Sequence, residues 1–183
     1  MTDEMEIEQI IRKKFLDDDP VALEMVYEHF GRRLYGYLVS MVKYHSDAEE
    51  ILNELFMTIV RKREQLAGAK NIRTYLFAIA RNLAFEMFRK RSSHRETLSG
   101  YAQYLEVGEE NKVKWDSDEL DTLRKAVDGL PENQREVVVL KIFEGMTFEE
   151  ISQLMRISQN TVASRYRYAI EKLRDNMKGF GYE

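Results

Sequence analysis

Gln159, Asn160 and Arg165 are the side chains in this sequence best suited to reading a nucleobase edge. Glutamine and asparagine can bond adenine in bidentate fashion, and arginine can do the same with guanine. Ser158, Thr161 and Ser164 flank them with hydroxyls, and Arg167, Lys172 and Arg174 follow at spacings suited to phosphates. Phosphate contacts supply salt-dependent affinity and register rather than base choice. This is the chemistry of recognition, not of bond breaking. His29, His45 and His94 are scattered, with no HExxH spacing, and there is no cysteine to complete a thiolate metal site. No glycine-rich phosphate loop or GxSxG elbow occurs. The paired carboxylates stand at helix starts, where capping accounts for them. The expectation is therefore a protein that is not an enzyme, with no cofactor and no metal.

These side chains need a rigid element, and the flanking residues predict one. Thr147-Phe148-Glu149-Glu150 has a hydroxyl and a carboxylate three residues apart, the spacing of a capping box. A short helix, Phe148–Leu154, then meets a turn at 155–157, and Ser158 caps a second helix. Ile151, Leu154, Ile157, Val162, Ile170 and Leu173 are spaced to fill the corner. The pattern is a helix-turn-helix, whose second helix enters the major groove with its N-terminal residues toward the bases. Upstream, Pro131 stands at the first position of a helix carrying Val137, Val138, Leu140 and Ile142, ended by Glu144-Gly145. Leu120, Leu123 and Val127 predict a further short helix.

The N-terminal half is helical too. Leu23, Val26, Tyr27, Phe30, Leu34, Tyr37, Leu38 and Met41 repeat at three-and-four spacing over residues 21–44. Ser46 is placed to cap the next helix, with Ile51, Leu52, Leu55, Phe56, Ile59 and Val60 inside and Gly68 as its stop. A third helix presents Tyr75, Leu76, Ile79, Ala80, Leu83, Ala84 and Met87 or Phe88. Between 96 and 116 the period is lost around Gly100, Gly108 and Trp115. With two prolines, nine glycines and no strand period, the fold class is all-α: two helical domains, 1–95 and 118–183, joined by a flexible linker at 96–117.

The net charge of −4 conceals segregation. Residues 61–95 hold ten basic side chains against Glu64 and Glu86, while the first nineteen hold seven acids against three bases. A basic face suits phosphates and acidic faces suit a protein partner, although a solvated helix face would look the same. No stretch approaches the roughly 20 apolar residues of a membrane span. The acidic start MTDEMEIEQI lacks the order of a signal peptide, and a cytoplasmic location is expected.

The stretch Leu130 to Leu140, with its PENQREVVV core, followed by the helix-turn-helix, resembles the C-terminal promoter-reading domain of extracytoplasmic-function (ECF) sigma factors. Asp47-Ala-Glu-Glu-Ile-Leu-Asn-Glu-Leu-Phe56 is similar to that family's polymerase-binding helix. Arg73 to Ala84, with Arg89-Lys90-Arg91, resembles its promoter-melting segment. The resemblance covers roughly 20–95 and 118–176, with the domains in the family's order. It implies core RNA polymerase, promoter DNA and an anti-sigma factor as partners, and initiation in response to a stress or envelope signal. It implies that Ser158, Gln159, Asn160, Thr161, Ser164, Arg165 and Arg167 meet the minus-thirty-five element. Lys70, Asn71, Arg73, Tyr75, Arg81, Asn82, Arg89 and Arg91 would meet the minus-ten element, where single-strand capture needs cations and small pockets for unstacked bases. Asp47, Glu50, Ile51, Glu54, Leu55 and Phe56 would dock on polymerase, with Leu55 and Phe56 as apolar anchors or as core. Three departures stand out: Asn53 for the usual glutamine, Arg156 for the usual turn glycine, and Tyr75 where tryptophan is common, a residue equally suited to the core.

A conventional helix-turn-helix regulator that binds duplex DNA as a dimer is the alternative. It would bind its operator alone, whereas a sigma factor would need polymerase to open a promoter. The long N-terminal domain with its acidic helix favours the latter.

Overall fold

The computed structural model describes residues 3–42, 44–97 and 126–178, with the backbone alone for residues 3, 92–97 and 176–178. These residues are helical apart from short turns, with no strand among them. The chain divides into two compact units, Met1–Asn111 and Lys112–Glu183. Trp115, Leu120 and Leu123 lie outside the described residues. So does the expected linker, except residues 96 and 97, which continue a helix.

Among the described residues the first unit has five helices: α1 (Asp3–Leu16), α2 (Val21–Met41), α3 (His45–Arg61), α4 (Arg63–Gly68) and α5 (Ile72–Thr97). In α2, Ala22, Val26, Phe30, Leu34, Tyr37, Leu38 and Met41 are buried. The inner stripe appears as expected, except that Tyr27 points outward and is 62% exposed. Ala48, Ile51, Leu55 and Ile59 of α3 and Leu76, Phe77, Ala80 and Ala84 of α5 complete the core. The Tyr37 and Phe77 rings meet at 5.2 Å between centroids. Burying a ring of this size contributes about 2–3 kcal/mol.

Two local expectations need correction, and one helix was not anticipated. Tyr44, not Ser46, occupies the cap position of α3, and Ser46 is exposed in the first turn. The helix expected to run to Gly68 breaks at Lys62, and 63–68 form a separate short helix. The acidic N-terminus, which showed only as a charge run, folds as α1. Ile11 is fully buried, one turn after Ile7. Asp18 ends the segment in a left-handed conformation (φ 58°). Asp19 accepts from the Val21 amide at 2.9 Å and from Lys14 at 2.7 Å, starting α2.

In the second unit Ala126 and Val127 are buried in a helical turn at 126–128. Then come α6 (Glu132–Val138), α7 (Phe148–Met155) and α8 (Gln159–Lys178). Pro131 is the residue just before α6 rather than its first. After Val138 the helix widens into a π turn, Val139–Phe143. The widening changes which side chains face inward, so Ile142, expected on the inner stripe, is 51% exposed. Val137, Val138, Leu140, Met146, Ile151, Leu154, Val162, Ala169 and Leu173 make the core of this unit.

Candidate nucleic-acid interface

The helix-turn-helix is held by two local caps. At the start of α7, the Thr147 hydroxyl accepts from the Glu150 amide (3.2 Å), and the Glu150 carboxylate accepts from the Thr147 amide (2.7 Å). At the start of α8, the Thr161 amide donates to the Ser158 hydroxyl at 3.1 Å, and the two hydroxyls meet at 2.8 Å. Such caps are worth about 1 kcal/mol each. Between them Arg156 adopts the left-handed conformation (φ 56°, ψ 45°), the geometry in which glycine is usual. The Ile157 amide closes the turn on the Ser152 carbonyl at 3.1 Å.

This construction sorts the predicted base readers. Gln159, Asn160 and Arg167 are exposed, and Ser164 and Arg165 are half-buried on the same helix. Ser158 and Thr161 are engaged with each other, so in this unit their hydroxyls position the helix end. Behind it Phe148 meets Tyr166 with ring centroids 5.6 Å apart, and the Lys141 ammonium lies 5.2 Å from the Phe148 ring.

In the first unit the predicted strand-binding residues fall along α5 and the turn before it. Lys70, Asn82 and Arg89 are exposed. The Arg81 guanidinium lies 4.5 Å over the Phe85 ring. Asn82 lines a groove of about 300 Å³ between α3 and α5, with Glu54, Thr58, Lys62, Leu83 and Glu86 among its walls. The Asn71 carboxamide accepts from the Thr74 amide at 2.7 Å. Tyr75 is half-buried, and burial pushes its phenol pKa above the usual value. Arg73 has a side chain only 12% exposed and pairs with Glu4 at 3.2 Å. Its partner and Glu8, which caps α5, escaped the reading of the sequence.

The predicted docking helix divides between surface and core. Glu50, Asn53, Glu54 and Met57 of α3 are exposed. Glu54 pairs with Arg61 at 2.5 Å. Phe56 packs its ring on exposed Tyr27 at 5.4 Å. Three of the predicted contacts turn inward. Ile51 and Leu55 are in the core, because the a/d-like stripe of α3 faces α2 and α5. Asp47 has a side chain only 6% exposed, with both carboxylate oxygens on the Arg91 guanidinium (2.6 Å for one contact). That pairing, the largest influence on Arg91, raises the guanidinium's pKa further. Asp47 and Arg91, expected on two different interfaces, are thus each other's partner.

Among the described residues no three His, Asp or Glu side chains cluster to hold a metal, and no helix is long and apolar enough to cross a membrane. Two sequence families match the chain in the order of these units: Sigma-70 region 2 over residues 26–94, and Sigma-70 region 4 over residues 120–173. The chain belongs to the ECF sigma factors.

Its relatives agree along most of their length. The ECF RNA polymerase sigma factor SigX of Bacillus subtilis is 23% identical, covering 86% of this chain and 84% of SigX. CarQ of Myxococcus xanthus is 28% identical over 89% of this chain and 93% of its own. Two solved structures share the fold. RpoE of Bartonella quintana, in complex with the anti-sigma factor NepR, has a TM-score of 0.68 at 24% identity, covering 79% of this chain and 89% of RpoE. CnrH, in complex with the cytosolic domain of CnrY, has a TM-score of 0.69 at 18% identity, covering 94% and 98%. As a sigma factor, the chain directs promoter-specific transcription initiation by core RNA polymerase.

Proposed function

We propose that α8 reads the minus-thirty-five element through Gln159, Asn160, Ser164 and Arg165, with Arg167 on phosphate. The observation that carries this assignment is the exposure of Gln159 and Asn160 at the end of a helix already capped by Ser158. Side chains not needed for the cap are available for bases, and a capped helix end presents them rigidly. Lys70 in the turn before α5, and Arg81, Asn82 and Arg89 on α5, meet the minus-ten strand. On α3, Glu50, Glu54 and Phe56 dock on polymerase, beside the aromatic surface of Tyr27. The protein works by binding rather than by catalysis, and in the cytoplasm, with the polymerase. A complex of the similar RpoE with an anti-sigma factor supports a comparable inhibitor for this chain, and so control by a stress or envelope signal.

The test is run-off transcription with purified core polymerase on a library of promoter fragments. Asn160→Ala should lower initiation by about 5- to 150-fold at promoters whose minus-thirty-five element supplies the matching base, the range of one lost base contact of about 1–3 kcal/mol. Glu50→Arg should weaken initiation at every promoter alike, through loss of holoenzyme. If Asn160→Ala acts equally at all promoters, or Glu50→Arg leaves holoenzyme assembly intact, the corresponding assignment is wrong.

A further inference from the structure

The N-terminus of α5 is the place in the first unit where an anion should bind. A helix start exposes unpaired amides at the positive end of its dipole, and phosphates settle there. Here it is filled from within the protein. The amides of Ile72 and Arg73 donate to the two carboxylate oxygens of Glu8, each at 3.1 Å, across 64 and 65 residues of chain. The next amide, of Thr74, donates to the Asn71 side chain at 2.7 Å.

Glu8 does not act alone. One turn after it on α1, the Arg12 guanidinium donates to the carbonyl of Ala67, near the end of α4. One turn before it, Glu4 holds Arg33 at 2.8 Å and Arg73 at 3.2 Å. Residues 4, 8 and 12 lie along one face of a helix. Their signs match what they touch: a cation at the carbonyl end of α4 and a carboxylate at the amide end of α5. The fully buried Ile11 anchors the same helix. Thus α1 bridges the turn at 69–71 and clips both ends of it, leaving Lys70 exposed between the clips.

We infer that Glu8 is a positioning residue for strand capture: with Arg12 it fixes the turn that presents Lys70 and the start of α5 to the opened promoter. This rests on the proposal that this turn meets the minus-ten strand. The strand's phosphates do not occupy the amides of Ile72 and Arg73, because Glu8 does. Its contribution is geometric and comes before DNA arrives, since a turn with loose ends would have to be ordered at the cost of binding free energy.

The experiment uses holoenzyme reconstituted from core polymerase and the full chain, as wild type, Glu8→Gln, Glu8→Asp and Lys70→Ala. The probe is a single-stranded oligonucleotide carrying the non-template minus-ten sequence of a promoter this holoenzyme transcribes. Binding to duplex minus-thirty-five DNA, holoenzyme assembly and the thermal midpoint are measured in parallel. Glu8→Gln should weaken strand binding about five- to tenfold, the scale of one lost charge-assisted cap. Holoenzyme assembly and duplex binding should stay as in wild type, the midpoint should fall by no more than the loss of one helix cap accounts for, and Glu8→Asp should restore part of the loss. Wild-type strand binding by Glu8→Gln with weakened binding by Lys70→Ala overturns the inference alone. Wild-type binding by both removes the turn from the interface, and the inference falls with it. A loss shared equally by assembly, duplex binding and midpoint reduces Glu8 to a stabiliser of the fold and also overturns the inference. Should Glu8→Gln not fold, Arg12→Met at the other clip decides: wild-type strand binding overturns the inference, and selective weakening supports it.

Discussion

Asp47 and Arg91 offer the sharpest test of how the first unit is built. The carboxylate is almost fully buried and both its oxygens face the guanidinium, while the Arg91 side chain remains 48% exposed. Breaking a fully buried pair costs about 3–5 kcal/mol, because a charge is stranded out of water. Water reaches half of Arg91, and exposed pairs contribute only about 0–1 kcal/mol. This pair lies between those limits, so Arg91→Ala should cost about 1–2 kcal/mol after that discount for screening. Asp47→Asn keeps the shape, removes the charge and should cost somewhat less. The pair joins α3 to α5 across 44 residues of sequence, so the loss should appear in the exchange protection of amides in both helices. The assay is a double-mutant cycle by urea unfolding of the full chain, with amide exchange to locate the change. A coupling of about 1 kcal/mol is expected. A coupling below about 0.3 kcal/mol, with each single variant near neutral, would show that the pair is only a surface contact and refute the reasoning. The same geometry changes the choice of docking variant. Asp47→Arg would set two guanidinium groups against each other inside the fold, so any loss of initiation would report misfolding rather than docking. Glu50, exposed on the same helix, is the informative position.

Two further outcomes follow from backbone and charge. Arg156→Gly should raise the stability of the second unit by about 0.5–1 kcal/mol, since a left-handed angle costs a non-glycine residue about 1–2 kcal/mol and glycine's looser unfolded state returns part of that; an unchanged or lower thermal midpoint would contradict this. Asp19 has its pKa held below the usual 3.8, first by the Lys14 hydrogen bond and then by the Val21 amide. A depressed carboxylate contributes stability that is complete at neutral pH and is lost as pH falls below about 3.8 through the folded value. A carbon-13 titration of its carboxyl should therefore show a midpoint under 3.8 that Lys14→Met raises; a midpoint at or above 3.8 in the unmodified protein would sink the claim.

What the sequence made legible was what is local. The capping box from Thr147 to Glu150 and the Ser158 cap each span three residues, so spacing alone reveals them. The stripe of α2 was legible for the same reason, with Tyr27 misplaced because a stripe has an edge and only packing decides which side of it is wet. In α3, Ile51, Leu55 and Phe56 look alike as apolar residues. Their split between core and surface is set by α2 and α5, which the spacing within α3 does not encode. The π turn at 139–143 hid Ile142's exposure, because widening shifts the period on which the stripe was read. Glu8 was invisible as a cap because its amides lie 64 residues away. The one available sign was Ile7, Ile11 and Phe15 at four-residue spacing, a helical stripe within an otherwise acidic run.

The same distinction bears on the basic segment. Its ten cations suggested a broad phosphate track, yet the fold employs many of them internally. Arg61 pairs with Glu54, Arg63 with Asp18, Arg73 with Glu4, Lys90 with Glu86 and Arg91 with Asp47. Several of these acids come from α1, α3 or the turn after α1, so the acidic N-terminus and the basic segment are two sides of one set of contacts. A strand approaching α5 therefore meets a surface on which part of the positive charge already has an acidic partner, with Lys62, Lys70 and Arg89 among its exposed cations. Electrostatic affinity scales with the phosphates neutralised. An interface whose cations are partly paired within the fold gains less from nonspecific attraction than ten free cations would, and depends more on shape, on stacking and on other contacts at the promoter. This arrangement is consistent with the proposal that the polymerase and α8 provide the holding while α5 meets the minus-ten strand.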